Sequence, residues 1–291
     1  MSNPMIPTKA EFIAAITKTE KLVPAPRTLA QASRLLRDPH SDLADISMLI
    51  SQDSALAVDV LRCANSAYYG NAEPVSAIGQ AVQIIGFRET IRLLNLVAAH
   101  QAAGRDLGCY GIAAEDFWAE SLCNGLFLDE LGLQTGAYDP GEAYTAGLLR
   151  FVGRLAINQA VLTLGGGLFW DGESDIGRWE LENVGIRQAQ AGAELLSRWG
   201  FPESIVTAIN NQDDDTPPAD AGKLALAMNY SARVLPAGCN AAYAASLDQQ
   251  TLELRSEHPF VMSTGLTDTV LNSVQLKTAE NMKAILDKLY H

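Results

Sequence analysis

The chain is poor in the side chains that hold metals and carry redox chemistry. Its 291 residues include four histidines and four cysteines. Cys63, Cys109, Cys123 and Cys239 lie far apart and none forms a CxxC pair. That spacing argues against a zinc knuckle or a disulfide framework, and the expectation is reduced thiols in a cytoplasmic protein. Positive charge is scarce as well: 21 Lys and Arg stand against 34 Asp and Glu, a net charge of −13. Such a surface repels phosphate backbones and anionic lipid, so neither nucleic acid nor a membrane is expected as a partner. No run reaches the ~18 uninterrupted apolar residues that span a bilayer. The start, MSNPMIPTKAEF, lacks the basic flank and apolar core of a signal peptide.

What remains is a core-forming composition, 48% hydrophobic and 19% charged, with helical periodicity nearly throughout. Leu29, Ala32, Leu35 and Leu36 share one face, as do Leu43, Ile46, Leu49 and Ile50 behind Ser41 as expected N-cap. A helix or helix pair follows, with a break at Gly86. In DPGEAY, Asp139 suits the N-cap, Pro140 the first helical position and Glu142 the third. The helix so opened is expected to run through TAGLLRFVGRLAI, residues 145–157. Further helices are expected on either side of Gly200, the second opening at Pro202. The glycine-rich stretch 165–177 reads as a flexible connection and the acidic stretch 212–220 as a solvated turn, neither with phosphate-loop or EF-hand spacing. The fold class is all-α, with a soft boundary near residues 105–115.

LVPAPRTLAQASRLLRDP, ISQDSALAVDVLR, ANSAYYG, FWAESL, AGLLRFVGRLAI and RWGFPESIVTAI together resemble the HDOD family, the HD-related output domains. The resemblance covers about residues 20–235. It implies an N-terminal helical part (20–110) and an HD-like bundle (111–235), with residues 1–19 as an N-terminal helical extension. Residues 236–291 are a divergent segment ending in a helix. In catalytic HD relatives, His and Asp ligands bind a divalent metal that activates water.

Carried over position by position, the first histidine of that pattern falls at or beside Glu120 and the His-Asp pair at Arg150 and Phe151. Later ligands fall near Gln188, at Asn211 and Gln212, and near Ser231. Guanidinium and benzene offer a metal no lone pair, so only Glu120 is a strong donor. The histidines present, His40, His100, His258 and His291, are elsewhere. The resemblance therefore implies a non-catalytic, stand-alone regulatory module of signal transduction that needs no cofactor and works through other signalling proteins. One reading of Arg150 is structural, an ion pair with Glu120. Another gives Arg150 and Arg154 a small anionic ligand such as a signalling nucleotide. A metal-dependent phosphohydrolase is the enzymatic alternative. Phe151 is expected to extend the apolar stripe of Tyr144, Leu148, Val152 and Leu155 into the metal's place. Asn65, Ser66, Tyr68 and Tyr69 read either as a capped helix end or as a docking surface.

Overall fold

The computed structural model describes residues 7–18, 26–52, 54–65, 75–102, 106–164, 167–218, 220–235, 246–249 and 251–290. Among them there is no extended strand, only a single bridge between Leu107 and Ile112. The helices fall into two lobes with separate apolar cores.

The smaller lobe holds α2 (Pro26–Arg37), α3 (Leu43–Ser51), α4 (Ser54–Ala64), α5 (Ile78–Ile85) and α6 (Phe87–Ala102). Their inward faces bury Ile46, Ile50, Leu56, Val60, Val82, Ile91 and Leu94, at roughly 1.5–3 kcal/mol per large side chain. Gly86, at φ +87°, separates α5 from α6 where the sequence predicts a break. The cap of α3 is Asp42 rather than Ser41. Asp42 accepts from the Asp45 backbone, and Asp45 accepts from the Asp42 backbone. That reciprocal box fixes the cap three residues before Asp45.

The larger lobe is built round α7 (Ala114–Thr135), whose residues Phe117 to Gly132 are all buried. Against it lie α8 (Pro140–Leu148), α9 (Val152–Leu164), α10 (Ile176–Asn183), α11 (Gln188–Arg198), α12 (Glu203–Asn210), α13 (Lys223–Val234), α14 (Pro259–Thr264) and α15 (Asp268–Tyr290). A buried helix tolerates polar side chains only when each finds a partner. Those of α7 draw on different elements: Asp129 on Arg92, Glu130 on Lys277, Glu120 on Arg154. The first helix, α1 (Lys9–Lys18), sends Phe12 and Ile16 into this larger core rather than the smaller one. The chain thus starts on the large lobe, builds the small one, and returns.

One loop expectation needs correction and one holds. The 165–177 connection is tied down in its described part: the Trp170 amide donates to the Cys109 carbonyl at 2.7 Å, and Asp171 accepts from the Glu173 and Ser174 amides. Asp175 caps α10, which begins inside that stretch. The 213–215 turn is exposed, as expected, yet Asn229 and Arg233 hold its carbonyls. The thiols of Cys109 and Cys123 form no disulfide, and burial pushes Cys109 up to about 12. No helix among the described residues is long and apolar enough to cross a membrane.

Candidate functional site

The helix opened by Asp139, whose carboxylate accepts from the Glu142 amide at 2.9 Å, does not run through residues 145–157. It stops at Leu148, turns through Leu149–Phe151 and restarts at Val152. The ladder there gives way to i→i−3 bonds: the Arg150 amide donates to the Gly147 carbonyl at 3.2 Å, the Val152 amide to Leu149 at 3.0 Å and the Arg154 amide to Phe151 at 2.9 Å. Gln212 Nε2 takes the Arg150 carbonyl at 3.2 Å.

Glycines let the neighbouring helices close on this turn. A Cβ at Gly147 would lie 2.6 Å from the Asn124 carbonyl, and one at Gly153 only 1.9 Å from that of Gln188. The backbones of α7 and α11 therefore flank the turn, and the side chains of residues 150–154 meet theirs.

Arg150 is buried, and two of its three guanidinium nitrogens are bonded. Nε donates to Gln212 Oε1 at 3.0 Å and Nη1 donates to Asn124 Oδ1. The expected Arg150–Glu120 ion pair is not what forms. Glu120 pairs at 3.4 Å with Arg154, four residues beyond Arg150. The reason is the turn itself, which points Arg150 at the neutral amides of α7 and the α12 end. Burial lowers the Arg150 pKa from its ordinary value, opposed by Asp213 and Glu120 nearby. Both guanidiniums rest on the Phe151 ring, with their carbons 4.7 and 4.3 Å from its centre. Phe151 is buried, as expected, but from the turn rather than along a continuous helical stripe.

A second layer surrounds this one. Glu180 is 1% exposed and accepts from Tyr110 Oη at 2.9 Å and from the Gln188 amide at 2.7 Å. Burial dominates these bonds and Arg154 nearby, and raises the Glu180 carboxyl to about 7. Gln188 Nε2 reaches Asp213 at 3.5 Å. Asn158 accepts from the Cys109 amide at 3.0 Å, fixing the turn that carries Tyr110.

A third group ties in the divergent C-terminal segment. Asn229 is fully buried, and its Nδ2 donates to the carbonyls of Asn211, Gln212 and Asp214 at 2.9–3.1 Å. Its Oδ1 meets His258 Nε2 at 3.0 Å. Since His258 Nδ1 accepts from the Phe260 amide as the cap of α14, the proton sits on Nε2. Burial, then Arg233, depresses His258 to about 4.

Of the positions picked from the sequence, Glu120, Arg150, Phe151, Gln188, Asn211, Gln212 and Ser231 are all buried. Arg150 and Gln212 are joined directly. Ser231 bonds only within its own helix, to Met228, and Asn211 offers its side-chain oxygen to Asn210. Arg154 is buried with Arg150, so neither presents the open basic surface that an anion site requires. A groove of about 320 Å³ between α11 and α12 reaches Asn211, and its charged lining is acidic, Glu194 and Glu203. Asn65 clasps both Leu61 and Val75, as a helix-end cap would. Ser66, Tyr68, Tyr69 and the side chain of His100 lie outside the described residues. Asn124, Glu180, Tyr110, Asn229 and His258 were not anticipated. Their one sequence signal is polarity at positions where the helical pattern calls for an apolar residue.

The donor set does not suit the divalent metal of HD enzymes. A guanidinium and a ring stand at the positions that the resemblance gives to the His-Asp pair, Asn124, Gln212 and Glu120 surround them, and among the described residues no three His, Cys, Asp or Glu side chains converge on one point.

Comparisons agree on the frame. An HDOD domain crystal structure from Geobacter sulfurreducens is similar over 96% of this chain and 95% of its own, with TM-score 0.65 and 22% identity. A Marinobacter aquaeolei VT8 structure provisionally named a signal transduction protein is similar over 99% of this chain and 68% of its own, at TM-score 0.69 and 18% identity. A Shewanella amazonensis SB2B structure provisionally named a phosphohydrolase covers 94% and 98%, at TM-score 0.60 and 21% identity. An uncharacterized protein of Treponema pallidum (strain Nichols) is 30% identical over 190 residues, 63% of this chain, and the match spans only 36% of that relative's length. The family model for the HDOD domain matches residues 22–215. With two thirds of its sequence matched and the helical frame shared, the chain belongs to the HDOD family.

Proposed function

We propose that this protein is a non-catalytic signalling module that works by binding other proteins. The observation that carries the reading is Arg150, which the resemblance sets where the HD pattern has a metal-binding histidine and whose guanidinium is bonded to Asn124 and Gln212. A fixed cation there repels a metal ion, and among the described residues no nearby imidazole supplies a donor. Hydrolysis through a metal-bound water then has no centre to act from. An anionic ligand at Arg150 and Arg154 would compete with bonds already made to Asn124, Gln212 and Glu120, although Arg154 Nε is left without a partner. Contact with a partner is therefore preferred over ligand sensing. The provisional signalling name of the Marinobacter structure is in keeping with this.

The test is elemental analysis of protein purified without chelator, together with melting curves with and without manganese. The expected result is no bound transition metal and no gain in melting temperature. Near-stoichiometric metal, or phosphodiester hydrolysis that disappears in Glu120→Gln, would overturn the reading.

A further inference from the structure

The two lobes differ sharply in charge. Residues 26–102 carry six basic and seven acidic side chains, whereas residues 103–291 carry twelve and twenty-five. The whole acidic excess belongs to the second stretch. Across the boundary the described charged contacts run one way. Each cation is an arginine of the small lobe, and each acceptor belongs to the large one. Arg34 donates to the Gly200 carbonyl at 3.0 Å. Arg37 faces Glu142 at 3.5 Å and donates to Ser204 at 3.3 Å. Arg88 faces Asp139 at 3.4 Å. Arg92 grips Asp129 and lies 5.7 Å from the centre of the Tyr144 ring.

These contacts are unequal. Asp129 has 2% of its side chain exposed, and its second oxygen, Oδ1, has no hydrogen-bond partner. A buried carboxylate held by one arginine is strongly unfavourable once that arginine leaves. Arg88–Asp139 is solvated on both sides and weak; Glu142 is 14% exposed, but it keeps a bond from Ser204 if the exposed Arg37 leaves. The apolar cores form two clusters that meet at α2, where Ala30 packs into the larger one, and among the charged contacts Arg92 is the one whose loss matters most.

We propose that the small lobe is a latched unit: α2–α6 unfold from the large lobe as a block, with Arg92–Asp129 as the latch, while the large lobe stays folded. Units of this kind open below the global unfolding free energy. The inference is independent of whether the protein is catalytic.

The tryptophans make this measurable. Trp118, Trp170, Trp179 and Trp199 all belong to the large lobe, and none lies in residues 26–102. Tryptophan fluorescence thus reports the large lobe, whereas far-ultraviolet circular dichroism reports both. Urea, which leaves ionic strength unchanged, is the denaturant. In the wild-type protein the dichroism should begin to fall before the fluorescence does, and the gap should widen from 50 to 500 mM salt as the outer arginine contacts are screened. Arg92→Gln should move the early transition down by about 1 M or more and leave the fluorescence midpoint nearly in place. Coincident curves for the wild type at both salt concentrations, or an equal shift of both signals in Arg92→Gln, would overturn the proposal.

Discussion

The small lobe and the large lobe solve the same problem, closing helices over a core, with different materials. The small lobe's described core is almost wholly apolar, and Ser33 and Thr90 are its buried polar residues. The large lobe buries Glu120, Asn124, Arg150, Arg154, Asn158, Glu180, Gln188, Gln212, Asn229 and His258. Apolar packing is tolerant of change, because an aliphatic contact has little directionality. A buried polar network is not, since removing one member strands the others. The comparison teaches that the large lobe is held by a set of interlocking polar side chains, into which the C-terminal segment is bonded through Asn229 and His258.

The sharpest way to break the comparison is at the closest backbone approach. Gly153→Ala puts a methyl group 1.9 Å from the Gln188 carbonyl, and backbone on both sides cannot yield as a side-chain tip does. The expected loss is about 3 kcal/mol or more, carried by the large lobe. In urea unfolding the fluorescence midpoint should drop steeply. A variant as stable as the wild type would mean that α9 and α11 do not touch as described.

A smaller effect comes from pH and isolates two members of the network. Glu180 is raised from 4.5 to about 7, so the folded protein holds a proton that the unfolded chain has released. Its contribution is full below pH 4.5 and is lost as pH rises through 7. His258 is lowered from 6.5 to about 4, so the unfolded chain binds the proton first. Its contribution is full above pH 6.5 and is lost as pH falls through 4. Between pH 4.5 and 6.5 the two slopes oppose, each worth about 2–3 kcal/mol in total. Single variants uncover them. The stability difference, Glu180→Gln minus wild type, should increase from pH 5 to pH 7.5. For His258→Asn, which keeps an acceptor for the Phe260 amide, the difference should become less favourable over pH 4 to 6.5. Parallel pH profiles for variant and wild type would remove the residue concerned from this account.

The lobes were also unequally legible. Helix positions in both followed from periodicity, and the breaks at Gly86 and Gly200 from composition, because local spacing and backbone preference suffice for these. The frame of the site came from motif resemblance, which put Glu120, Arg150, Gln188 and Gln212 in one neighbourhood. The pairing did not follow. Sequence spacing gave no sign that the helix would break at 149–151, that Gln212 would take the Arg150 carbonyl, or that Arg150 would bond Asn124 instead of Glu120. That outcome depends on contacts 62 and 26 residues apart. Asn229 and His258 were hidden for the same reason: their partners lie across the core, beyond the reach of any local pattern.

The smallest expected effect is also the cleanest control on the lobe boundary. Arg88 and Arg92 sit one turn apart on α6, and each faces an aspartate of the large lobe. If charge alone mattered, the two would be equivalent. They differ in burial: Asp139 has 37% of its side chain exposed and Asp129 has 2%. Asp139 also has its Oδ1 engaged by the Glu142 amide, so losing Arg88 leaves its carboxylate both solvated and bonded. Arg88→Ala should therefore change stability by no more than about 1 kcal/mol, and the change should disappear in 500 mM salt. Arg88→Ala as damaging as Arg92→Gln in the same urea titration would place the hold between the lobes in the outer charges and not in the buried carboxylate of α7.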